Sequence, residues 1–204
     1  MIMNNEGKIK ILKAARTIIS EHGIQGATIR GIAEKANVST GAIYHYYDSK
    51  EAILYDVMDE GLNEIKRIAN LSAEDKRNFQ EIIQEIFEGM QERFKKEAEN
   101  RLQFYLAHEA MLGNEELKQK FKKKYDDWIN RLEDIFVQAY NTKHGPLSRA
   151  VATWTLAGID GMVFQLLLHT QTVDLTHINQ VLDFLLHEGF PHFINVIHNE
   201  SDNQ

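Results

Sequence analysis

The sequence predicts an all-α protein, and three observations predict it. Only two of its 204 residues are proline, Pro146 and Pro191, so little interrupts a helix. Glu, Lys, Leu and Ile are abundant, a composition that favours helices. Apolar residues recur at i, i+3, i+4 and i+7 along most of the chain, which is one face of a helix. Cysteine is absent, so disulfides and thiolate chemistry are excluded. No apolar run approaches a membrane span and the N-terminus lacks a signal-peptide core, so a soluble, cytoplasmic protein with no membrane partner is expected.

Nine helices follow in order. The first covers about 6–22, with Ile11, Leu12, Ala15, Ile18 and Ile19 inward and Gly23 ending it. The second carries Ile29, Ile32, Ala33 and Ala36 on one face. Asn37 then sits where the chain must turn, because Asn tolerates left-handed backbone, and Val38 follows as a buried plug. Ser39 or Thr40 caps a short third helix whose inner face is Ile43 and Tyr46 with Ala42 or Tyr47. Asp48-Ser49-Lys50-Glu51 resembles a capping box opening helix four, which runs to about Asn70 through Ile53, Leu54, Val57, Met58, Leu62 and Ile65.

Ser72 caps helix five, with a stripe of Phe79, Ile82, Ile83, Ile86, Phe87, Met90 and Phe94. Helix six, about 98–112, holds Leu102, Phe104, Tyr105, Leu106, His108, Met111 and Leu112 before the Gly113-Asn114 break. Helix seven, about 115–141, carries Phe121, Tyr125, Trp128, Ile129, Leu132, Ile135 and Phe136; its Lys118, Lys120 and Lys122 to Lys124 read as a solvated face. Gly145-Pro146 marks a boundary. Helix eight, about 147–171, is apolar on nearly every side, which demands burial all round. Helix nine, about 175–198, places Ile178, Val181, Leu182, Leu185 and Leu186 in one stripe. Pro191 interrupts or kinks it, and Phe193, Ile194 and Ile197 continue the stripe.

Helices two and three form a helix-turn-helix, a device that places one helix in the DNA major groove. Thr40, Gly41, Tyr44 and His45 point outward from the third helix. A hydroxyl, a bare glycine backbone, a phenol and an imidazole suit base edges, methyl groups and phosphates. Thr28, capping helix two, together with Arg30, Ser39 and Lys50, completes the candidate DNA-contact set.

Residues 9–57 resemble the DNA-binding domain of the TetR family of bacterial transcriptional regulators. The resemblance rests on Ile11, Ala14 and Ala15, on His22-Gly23-Ile24 and Gly26-Ala27-Thr28, and on Ile32-Ala33 and Ala36-Asn37-Val38-Ser39. Gly41, Ile43-Tyr44-His45-Tyr46-Tyr47 and Ser49-Lys50-Glu51 complete it. Tyr47 departs from the pattern, where phenylalanine is more usual, and should fill the same slot. The resemblance implies two domains: a three-helix helix-turn-helix domain over 1–48, and a helical ligand-binding and dimerisation domain over 49–204. It also implies a homodimer on a double-stranded DNA operator, most often as a repressor.

Charge divides accordingly. Residues 1–50 hold seven Lys/Arg and four Asp/Glu, a net of +3, and the remainder is −10. A positive head on an acidic body is expected where only the head meets phosphate. In helices eight and nine the small residues Ala157, Gly158 and Gly161 admit a second helix closely. With Gln165, Val181, Leu182 and Leu185 they form the expected dimer interface. The expected effector pocket is lined by Phe87, Met90, Phe104, Tyr105, His108, Met111, Trp128, Trp154 and Met162, which suits a small hydrophobic effector. Asp160 and Gln165 orient a polar group there or cap backbone.

No phosphate loop, nucleophile elbow or paired-histidine metal motif occurs, so no enzyme, cofactor or metal is expected. His169, His177, His187, His192 and His198 crowd the C-terminal part, but none pairs at i, i+4. The alternative is a non-catalytic helical adaptor, or a regulator without a small-molecule ligand. The outward set on helix three argues against the adaptor.

Overall fold

The structure, a computed structural model, describes residues 3–63 and 78–194, with side chains from Glu6 onward. Every regular element among these residues is helical. They are α1 (Met3–Gly26), α2 (Ile29–Ala36), α3 (Thr40–Tyr44), α4 (Lys50–Gly61), α5 (Phe79–Lys95), α6 (Glu97–Met111), α7 (Glu115–Ala139), α8 (Pro146–Leu168) and α9 (Leu175–Phe184). The expected reach of helix four to Asn70 with Ile65, the Ser72 cap, and Ile197 and His198 lie outside the described residues. The chain forms two compact units, one of Met1–Asn63 with Lys96–Lys123, the other of Glu64–Lys95 with Lys124–Gln204.

In the first unit α1 packs on α2 and α4, and α4 packs on α6. Its core is Ile11, Leu12, Ala15 and Ile18 from α1, Ile32 and Ala33 from α2, Ile43 from α3, Ile53, Leu54 and Met58 from α4, Leu102 and Leu106 from α6, and Leu117 from α7. Gly23 breaks α1 at φ 72, ψ 177, a conformation that favours glycine. Lys96 caps the C-terminal end of α4, its Nζ donating to the Gly61 carbonyl at 2.7 Å. The buried seam of α6 is Leu102, Gln103, Leu106 and Ala110. That i, i+4 row turns the far side outward, so Met111 (78% exposed), expected to line the effector pocket, and Leu112 (71%) lie at the surface of the chain.

In the second unit α5 meets α8. Asn78 opens α5: its Oδ1 accepts from the Glu81 amide and Glu81 accepts from the Asn78 amide, both at 3.0 Å, a reciprocal capping box. Within its own chain helix eight buries one face, through Val151, Ala152, Leu156, Ile159 and Val163, while Trp154, Phe164 and Leu168 are exposed on the face for which a partner subunit is expected. Pro146–Leu168 is also long and apolar enough to cross a membrane, because its charges are few and scattered; this corrects the expectation that no run approaches a span.

Pro191 does not end the last helix. α9 continues through a π-helical turn, Leu185–Gly189, and stays helical over 190–194. Widening the turn shifts the hydrogen bonds by one residue, so the Phe190 amide bonds the Leu185 carbonyl. This accommodates a proline ring that an ordinary α-turn would crowd. Lys124 is likewise not solvated: it is 6% exposed, with Nζ 4.3 Å from the centroid of the Trp128 ring. Its apolar stem packs and its charge sits on the indole face. Lys118 and Lys120 pair with Glu115 and Glu116 on their own helix.

Candidate nucleic-acid interface

The turn between α2 and α3 is built by three capping residues. Thr28 is the N-cap of α2 and its hydroxyl accepts from the Gly31 amide at 3.1 Å. Asn37 ends α2 in the left-handed region (φ 55, ψ 47), and its amide bonds back to Ala33 and Glu34. Ser39, rather than Thr40, caps α3, accepting from the Ala42 amide at 3.0 Å. With Ile43 fully buried, the opposite side of α3 faces out. Thr40, Gly41, His45 and Tyr44, the last 56% exposed, are all on it. Among the described residues a Cβ on Gly41 would meet only the Ser39 hydroxyl, at 3.8 Å, so the backbone there is open to approach.

Arg30 is exposed and reaches Glu34 at 2.8 Å. Lys50, at the first position of α4, is half-buried with its Nζ 4.0 Å from Glu51. Thr28, Ser39, Thr40, Gly41, Tyr44, His45 and Lys50 thus fall within 28–50, at the cap of α2, on and beside α3, and at the start of α4.

Tyr47 fills the expected slot at 6% exposure, and its hydroxyl does more. It donates to Asp56 Oδ2 on α4 at 3.1 Å. The same oxygen takes Lys8 Nζ from α1 at 2.7 Å, and that Nζ lies 5.6 Å from the Tyr47 ring centroid. Burial, then the Asp56 charge, push the Tyr47 phenol well above its ordinary value, so it remains a donor. Sequence reasoning missed this junction; the one signal was a tyrosine where phenylalanine is usual.

The nine candidate pocket residues divide between the units. Phe104, Tyr105, His108 and Met111 belong to the first, and Phe87, Met90, Trp128, Trp154 and Met162 to the second. His108 and Met111 are exposed, and Trp128 is packed under Lys124. Met90, Trp154 and Met162 do meet, around a cavity of about 190 Å³ that also touches the expected interface residues Gly158, Val181, Leu182 and Leu185. A second, wholly apolar cavity of about 390 Å³ shares Trp154, Leu185 and Phe190 with it. Asp160 accepts from the Tyr125 hydroxyl and lies 3.6 Å from Arg93. Ala157, Gly161 and Gln165 are exposed on α8, as is Val181 on α9. α9 has no buried residue over Leu175–Phe184.

Residues 11–57 match the family of bacterial regulatory proteins, tetR family. The HTH-type transcriptional regulator YfiR of Bacillus subtilis (strain 168) is 27% identical over 129 residues, 62% of either chain, so the chain spans less than two thirds of that relative. The fatty acid metabolism regulator protein of the same organism is 26% identical over 186 residues, 87% of this chain and 93% of that one. Among solved structures, the transcriptional regulator FadR from Bacillus subtilis in complex with stearoyl-CoA superposes with a TM-score of 0.62 at 25% identity, covering 89% of this chain and 98% of that one. The helical fold agrees with these matches, and through residues 11–57 the chain carries the N-terminal domain of the TetR family of bacterial regulatory proteins.

Proposed function

We propose that the chain is a ligand-responsive transcriptional repressor, acting as a homodimer in the cytoplasm on a palindromic DNA operator. Residues 1–48 form its reading head and 49–204 its sensing and dimerisation region. The observation that carries this reading is the construction of α3. Ser39 caps it and Ile43 anchors it, while Thr40, Gly41, Tyr44 and His45 stand clear of the fold. A dimer would set two such helices in successive major grooves, about 34 Å apart. Thr40 and Gly41 would lie at base edges with His45 nearby, Tyr44, Lys50 and Arg30 would meet phosphates, and Thr28 and Ser39 the backbone beside them.

The exposed apolar residues Trp154, Phe164 and Leu168 of α8 and Val181 and Phe184 of α9 support a partner helix pair on that face. A small hydrophobic effector is supported by the apolar cavity at Met90, Trp154 and Met162. The relative bound to stearoyl-CoA makes a long acyl group the first class to try. The effector would bind the conformation whose head spacing fails to match the operator, and so release the DNA.

A gel-shift titration of the unmodified protein against duplex from upstream of its own gene, at two salt concentrations, tests the reading. Expected is retardation that weakens at higher salt and is reversed by stearoyl-CoA. No retarded complex with any duplex would remove the DNA reading, and release by no acyl compound would remove the acyl effector alone.

A further inference from the structure

We propose that Asp56 is a positioning residue that clamps the end of the reading helix to α4. This rests on the DNA reading above for its consequence, but its geometry stands alone. One carboxylate oxygen, Asp56 Oδ2, serves three elements: its own α4, the Tyr47 hydroxyl just after α3, and the Lys8 ammonium of α1. Tyr47 is also where the backbone of α3 closes, its amide bonding the Ile43 carbonyl at 3.0 Å as the Tyr46 amide does at 2.9 Å. The Tyr46 hydroxyl lies so close to α1 that a Cβ on Gly7 would collide with it.

Tyr46 and Tyr47, just past the end of α3, are therefore held from both sides, by α1 and by α4. A phenylalanine at 47 would keep the packing of the ring but not the tie. The tie is a hydrogen bond to a charged acceptor in a half-buried place, which is stronger and more directional than apolar contact. A rotation of α4 about its axis moves Asp56 and hence pulls the Tyr47 end of α3. α4 thus steers the reading helix through a polar link and not only through side-chain packing.

Tyr47→Phe preserves the ring and isolates the link. Amide hydrogen exchange of the free protein should show the Tyr46 and Tyr47 amides exchanging roughly three- to tenfold faster, with the Val38 amide unchanged. Asp56→Asn, which keeps an acceptor oxygen but not the charge, should give a smaller increase. Against a duplex selected from a random library by the unmodified protein, Tyr47→Phe should lose roughly three- to tenfold in affinity with the salt slope unchanged. Unaltered exchange at Tyr46 and Tyr47, or an equal rise throughout α1 and α2, would overturn the clamp. So would unchanged affinity for the selected duplex. If the unmodified protein selects no duplex, the DNA reading fails while the exchange result still decides the clamp.

Discussion

The hydroxyl of Tyr140, one residue beyond α7, donates to the backbone carbonyl of Leu186 at 2.9 Å. In the π-helical turn each carbonyl is met five residues on, and for Leu186 that residue is Pro191, which has no N–H. Tyr140 supplies the donor that the proline cannot. Burial pushes its phenol above the ordinary value, so the donor is retained across the accessible pH range. The helix passes through a proline because a side chain from the turn after α7 completes its hydrogen bonding.

Tyr140→Phe should therefore cost about 1–2 kcal/mol in urea unfolding, as a buried carbonyl is left without a donor. The cost should shrink when Pro191 is replaced by alanine, which restores an N–H in the helix. Equal costs in the two backgrounds would show that the hydroxyl does not act through this carbonyl.

The turn joining α7 to α8 is held by Glu133. Its carboxylate accepts from the Ser148 hydroxyl at 2.6 Å and the Gly145 amide at 3.3 Å, with Arg149 at 3.5 Å. Burial alone would raise its pKa, but Ser148, Gly145, His144 and Arg149 outweigh it and lower it. With the folded value below the unfolded one, about 4.3, the stabilisation is fully present above the unfolded value and lost as pH falls through the folded one. Glu133→Gln should lower stability at pH 7 and flatten its dependence on pH below about 5. An acid limb that keeps its slope in this variant would place the titrating group elsewhere.

For the reading head, Lys50→Ala should weaken binding to all duplexes and lower the salt slope by about one. Thr40 substitutions should instead alter sequence preference in a selection from random duplexes. Binding by Lys50→Ala that equals the unmodified protein at moderate salt would remove Lys50 from the phosphate set.

Gly161 offers a clean test of the dimer face, because a Cβ built there meets no atom of the described residues within 4 Å. Gly161→Leu should leave the protomer folded yet yield monomers in sedimentation, with poor operator binding. The lost interface should amount to on the order of 2,000 Å². Dimers of unchanged affinity would exclude this face.

The sequence by itself determined what local chemistry decides. The cap Thr28, a hydroxyl cap at Ser39 or Thr40, the left-handed Asn37, the break at Gly23 and the outward set on α3 follow from hydroxyl, amide and glycine preferences within a few residues. Helical class was legible too, because periodicity reports which residues share a face.

Only the tertiary structure decided which face meets what. Met111 and Leu112 belong to an apolar helix yet lie outside its buried seam, and α8 buries one side while leaving the other open. A period identifies a stripe but not its partner. The contacts of Tyr47 with Asp56, Tyr140 with Leu186 and Lys124 with Trp128 were equally illegible. Each depends on the distance and direction between side chains and atoms of the folded chain, and on burial that strengthens a polar contact only after the chain has folded around it.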